Sequence, residues 1–79
     1  MNDAEILAAI VETARSHLDR EGPVSPEMRL VEDLQLDSLQ LLTLAVALED
    51  RFRIRLDDEE ANLVTVADLV AAIRRKHGG

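Results

Sequence analysis

From Leu39 to Phe52 the chain reads Leu-Gln-Leu-Leu-Thr-Leu-Ala-Val-Ala-Leu-Glu-Asp-Arg-Phe, an apolar run with room for about four helical turns. It is apolar around more than half its circumference, wider than the stripe a surface helix needs. Within 79 residues such a helix must be packed on several sides or keep an apolar patch in solvent. A chain this short can bury only about 60% of its unfolded surface, so everything else has to wrap that helix economically. The expectation is a single small all-α domain over residues 1–79.

Two further long helices complete a bundle. The first is expected from about Ala4 to Leu18 or Asp19, with Asp3 as its cap and Ile6, Ile10, Ala14 and Leu18 recurring four residues apart. Leu7 and Val11 widen that stripe, and Gly22-Pro23 stops the helix. The last is expected from Val66 to about Lys76. Thr65 and Asp68 fit its capping pattern, Val66, Leu69, Val70 and Ile73 its inner face, and Arg74, Arg75 and Lys76 its negative end.

The connections are less regular. Between Gly22 and about Asp37 runs a long loop, pinned by Val24, Met28, Leu30, Val31, Leu34 and Leu36, with one helical turn at Ser25-Pro26-Glu27. Arg53-Ile54-Arg55-Leu56 alternates like a strand but has no partner, and reads as extended loop. Asp57-Asp58-Glu59-Glu60 opens a short extra helix or turn. The expected core centres on Phe52, the only aromatic residue, with Leu42 and Leu48, and with Ile10, Ala14, Leu69 and Ile73 from the other helices.

Composition removes several classes of function. With no cysteine there is no disulfide framework, thiolate metal site or cysteine nucleophile, so any thiol chemistry needs a thiol from outside. The acidic start, Met1-Asn2-Asp3-Ala4-Glu5, is unlike a basic targeting signal, and no run is long enough to span a membrane. A cytoplasmic protein is expected. Net charge is −3 over residues 1–31, −6 over 32–60 and +2 over 61–79, a total of −7. That balance argues against nucleic acid and favours basic partner surfaces, although it also serves plain solubility.

The central helix is headed by Asp37-Ser38-Leu39. A serine in that position is, in general, a cap. Here Asp37, with Gln40 three residues on, already supplies a capping pair and leaves Ser38 to be exposed. Its hydroxyl lies at the positive end of the helix dipole, where an attached phosphate is favoured. No Gly-x-Ser-x-Gly elbow surrounds it, so a hydrolase has little support. The acid cluster lacks the alternating ligands and glycine of an EF-hand loop, and His17 and His77 belong to no metal motif. The terminal Gly78-Gly79 invites comparison with ubiquitin-like sulfur carriers, which need a strand-rich fold.

An ordered set of segments carries a more specific resemblance. Leu30-Val31-Glu32-Asp33-Leu34, Leu36-Asp37-Ser38-Leu39, Ala47-Leu48-Glu49-Asp50 with Phe52, Asp58-Glu59-Glu60-Ala61 and Thr65-Val66-Ala67-Asp68-Leu69 occur in the order found in the acyl carrier protein family, over nearly the whole chain. The resemblance implies three longer helices plus one short helix, and no catalytic activity. It implies a 4′-phosphopantetheine arm on Ser38, donated from coenzyme A by a separate phosphopantetheinyl transferase. The arm's thiol would hold acyl groups for fatty-acid, polyketide or related lipid enzymes.

Partners are then that transferase and acyl-transferring, condensing and modifying enzymes with basic docking surfaces, met by a monomer. The expected contacts are Leu39, Leu41 and Val46, ringed by Asp37, Glu49 and Asp50. Gln40, Thr43 and Arg51 stand where acids are common in fatty-acid carriers, Arg53 and Arg55 add positive charge, and Asn62-Leu63-Val64 is about one residue short. These departures favour a specialised carrier. Two other readings stay open: an aminoacyl or peptidyl carrier, including the D-alanyl type, and a helical interaction module without a prosthetic group.

Overall fold

A computed structural model describes residues 2–18, 22, 24–56 and 63–78. Its described elements are three helices, α1 (Asp3–Leu18), α2 (Ser38–Phe52) and α3 (Val66–Gly78), with α1 packed against both others. The short helix expected at Asp57-Asp58-Glu59-Glu60 lies outside the described residues, as do Pro23 and Asp19 at the end of the first helix.

The cap of α1 is Asn2, not Asp3. The Asn2 side-chain oxygen accepts the Glu5 N–H at 2.9 Å, satisfying one of the amides left open at a helix start. Asp3 faces across the bundle, where both its carboxylate oxygens accept from Arg74 on α3 at 3.0 and 2.8 Å. The inner face of α1 runs through Ile6, Ile10 and Ala14 as expected, and widens through Ala9 and Thr13. Thr13 tolerates burial because its hydroxyl donates to the Ala9 carbonyl at 2.7 Å.

The expected face of α2 needs one correction. Leu44, Ala45, Leu48 and Phe52 are buried and Leu41 packs half-buried against the core, while Leu42 is exposed. Leu48 and Phe52 fix which side faces inward. At 3.6 residues per turn, seven residues back from Leu48 lies within about 20° of it, whereas six residues back lies about 120° away. Leu41 therefore joins the core and Leu42 leaves it. The helix ends at Arg53, which turns left-handed at φ 58° and ψ 49°. The Arg53 and Ile54 N–H groups both donate to the Glu49 carbonyl. Ile54 and Leu56 are buried beyond it with Arg55 exposed between them, as their alternation predicts, in a segment that is neither helix nor strand.

The long loop is bonded to the chain at the head of α3. Met28 N–H donates to the Ser25 carbonyl at 3.1 Å, closing the expected turn. The next stretch runs beside the head of α3: Leu30 N–H donates to Val64, Val66 N–H to Met28 and Ala67 N–H to Pro26, each at 2.9 Å, with one isolated bridge between Arg29 and Thr65. Leu30, Leu34 and Leu36 are buried in the common core, and Gln35 between them takes a positive φ of 57°. Val31, expected as an anchor, is exposed. Thr65 caps α3, its hydroxyl accepting the Asp68 N–H at 3.1 Å. At the far end His77 meets Phe52 edge-on, ring centroids 5.8 Å apart.

Candidate functional site

Leu36 is buried and Asp37 is exposed, so the chain leaves the core one residue before α2 begins. Asp37 adopts extended backbone, φ −82° and ψ 177°, and closes both halves of a capping box. Its carboxylate accepts the Gln40 N–H at 2.7 Å, and the Gln40 side-chain oxygen accepts the Asp37 N–H at 3.1 Å. Ser38 is the first residue of α2 and is exposed. Among the described residues its hydroxyl has no hydrogen-bond partner, so it neither caps the helix nor leans on a base.

Beside Ser38 opens a cleft of about 210 Å³, walled by Leu41, Leu42, Ala45 and Leu63. A second cleft of about 540 Å³ runs along α2 between Leu42, Thr43, Val46, Ala47 and Asp50 and reaches His17 of α1. Leu42 is common to both. The two other serines are placed differently: Ser16 lies on α1 and the half-buried Ser25 opens the turn at Pro26.

The expected contact residues divide into two groups. Leu39 is 71% exposed and Val46 52%, as large aliphatic side chains on an open face. Asp50 is exposed and lines the larger cleft. Leu41, by contrast, is half-buried, and Leu42, 51% exposed, occupies the surface position assigned to it. Glu49 is half-buried, and its carboxylate accepts the Leu56 N–H at 2.6 Å, which ties the segment after α2 back onto that helix. Heptad spacing from Leu48 places Leu41 inward and so leaves Leu42 at the surface. Nothing local in the sequence brings Leu63 next to Ser38, because that pairing follows from how the long loop fixes α3. No group of three or more metal-binding side chains forms among the described residues.

The sequence pattern of the phosphopantetheine attachment site family matches residues 6–73. The acyl carrier protein of Helicobacter hepaticus is 51% identical over 51 residues, covering 63% of this chain and 67% of that protein. The meromycolate extension acyl carrier protein of Mycobacterium tuberculosis is 38% identical over 73 residues, 90% of this chain. The match spans 64% of that relative, less than two thirds of its length. The acyl carrier protein of Myxococcus xanthus is 38% identical over 68 residues, covering 84% of this chain and 86% of its own.

Proposed function

Since this chain belongs to the acyl carrier protein family, we propose that Ser38 is the residue that receives the 4′-phosphopantetheine arm, and that residues 1–79 act as one carrier unit rather than as a catalyst. The observation that carries the reading is the division of labour at the head of α2. Asp37 and Gln40 complete the cap, so the Ser38 oxygen stands exposed and uncommitted at the first helical position.

The surroundings suit the group. A phosphodiester on Ser38 would sit at the positive end of the α2 dipole, near amides that favour negative charge. The adjoining apolar cleft could shelter the start of an apolar cargo. When bound, the arm supplies a thiol, absent from the protein itself, that holds acyl groups as thioesters. The chain's own residues position it: Leu36, Leu41 and Leu44 lock the turn into the core on either side of Ser38, and Asp37 fixes where the helix starts. Tethering then raises the effective concentration of cargo at a docked enzyme.

Acyl cargo for fatty-acid or related lipid synthesis fits the relatives' names. The partners are a phosphopantetheinyl transferase and acyl-transferring or condensing enzymes. None of the described helices is long and apolar enough to cross a membrane, and we place the carrier in the cytoplasm. Incubation with coenzyme A and a broad-specificity transferase should add one arm to the intact protein and none to Ser38→Ala. Equal loading of the two proteins would remove Ser38 from the role.

A further inference from the structure

Two described residues other than glycine take a left-handed backbone, Gln35 and Arg53. Arg53 does so as the C-cap of α2, where its N–H donates to the Glu49 carbonyl. Gln35 lies outside every described helix, three residues before Ser38, at φ 57°. This region crowds the Cβ of any residue but glycine against the backbone, and asparagine tolerates it better than most. Such a conformation persists only where the structure around it leaves no alternative.

The neighbours of Gln35 supply that constraint. Leu34 and Leu36 on either side are 5% and 4% exposed. Upstream, the Asp33 and Leu34 N–H groups both donate to the Arg29 carbonyl at 3.0 Å, and the Asp33 carboxylate accepts the Arg29 N–H at 2.7 Å. Downstream, Leu36 N–H donates to the Leu30 carbonyl at 3.2 Å, and the next residue, Asp37, starts the capping box. Gln35 is therefore a joint between two fixed pieces, the turn from Arg29 to Leu34 and the corner that carries Ser38. With an extended residue at this joint the chain would leave in another direction, and Leu36 would lose its burial or its bond to Leu30. The Gln35 side chain is exposed and has no hydrogen-bond partner among the described residues. What it contributes is a backbone angle.

Taking Ser38 as the attachment site, we propose that Gln35 is a positioning residue for transfer of the arm. Its left-handed turn sets the direction in which Asp37 and Ser38 leave the core, and so aims the hydroxyl at the coenzyme A held by the transferase. In that transfer the Ser38 oxygen attacks the pantetheine-bearing phosphorus and displaces adenosine bisphosphate, while the hydroxyl proton passes to a base of the transferase. Such a displacement depends on where the nucleophile stands: an error of about 1 Å costs about a hundredfold in rate.

The test loads the whole chain with coenzyme A and a broad-specificity phosphopantetheinyl transferase, followed by intact mass, beside thermal melting by circular dichroism. Gln35→Gly keeps the turn without the crowded Cβ, and is expected to raise the melting temperature by about 4 °C. Gln35→Val places a β-branched residue where it is strongly disfavoured. At a temperature where this variant is fully folded, kcat is expected to fall about tenfold, with KM changed less than about twofold. Gln35→Asn accepts the turn and is expected to keep the wild-type kcat. Ile73→Val is the comparison. It removes a buried methylene from α3 four residues before His77, which meets Phe52 at the other end of α2, about 20 Å from Ser38. It should lower the melting temperature and leave kcat unchanged.

A folded Gln35→Val protein that keeps the wild-type kcat would overturn the proposal. So would an Ile73→Val protein whose kcat falls as far, since the loss would then follow stability and not position. A Gln35→Asn protein as slow as Gln35→Val would assign the effect to the glutamine side chain and overturn it too. A wild type that accepts no arm at any concentration would overturn the carrier reading itself. That outcome is distinct from normal loading of the wild type with the wrong profile among the variants.

Discussion

Asp37 and Ser38 are neighbours with similar hydrogen-bonding groups and opposite duties. The carboxylate of Asp37 turns back to the Gln40 amide, and the hydroxyl of Ser38 is left in solvent. This arrangement was legible in the sequence because a capping box is local: residue types at fixed offsets determine it. The inward face of α2 is harder to read by eye, since nearly every position from Leu39 to Leu48 is apolar. The deciding signal is distance from Leu48 and Phe52, which selects Leu41 over Leu42. Truncation separates the two surfaces. Leu48→Ala, at a fully buried position, should cost about 2–5 kcal/mol in urea unfolding, whereas Leu42→Ala should stay within about 0.5 kcal/mol. Equal losses would mean that Leu42 is packed inside.

At the scale of elements, the three helices follow from periodicity and punctuation, and two of their three caps were visible. The first was misassigned by one residue because Asn2 and Asp3 are both good caps, and only the Asp3–Arg74 ion pair across the bundle separates them. The loop between α1 and α2 was expected to be pinned by its leucines, and Leu30, Leu34 and Leu36 are indeed buried. Its backbone pairing with the head of α3 was not visible, since hydrogen bonds between distant amides impose no pattern on side chains.

That junction depends on pH through Asp68. Its carboxylate accepts the Thr65 and Val64 amides, each at 3.0 Å, and these backbone bonds, Thr65 first, hold its pKa below the usual aspartate value. A carboxyl lowered in the folded state adds stability above its unfolded pKa of about 3.9 and loses it as pH falls through the folded value. Asp68→Asn should therefore flatten the acid limb of the stability curve below about pH 4, measured by urea unfolding at stepped pH. An unchanged acid slope would show that Asp68 does not contribute. The effect will be small, because the group is open to solvent.

In the whole molecule, one aliphatic core joins the three helices and the loop, and Phe52 is its only aromatic member. This economy leaves α2 with one side packed and Leu39, Leu42 and Val46 exposed on the other. The class of fold and the exposure of Ser38 at the head of α2 could be read from sequence; the ties that Glu49 and Arg51 make to Leu56 and Glu12 could not. Net charge is a property of the chain, while the engagement of Glu49 and Arg51 is a property of the packing. The chemistry at Ser38 remains the point on which everything else rests. Cleavage after Arg29 and Arg51 releases the segment Leu30–Arg51, in which Ser38 is the only serine and Thr43 the only threonine. The Thr43 hydroxyl already donates to the Leu39 carbonyl at 2.8 Å. After loading with coenzyme A and transferase, fragmentation of that peptide should place the whole added mass on Ser38. Mass on Thr43, or on a peptide holding Ser16 or Ser25, would show that the arm attaches elsewhere.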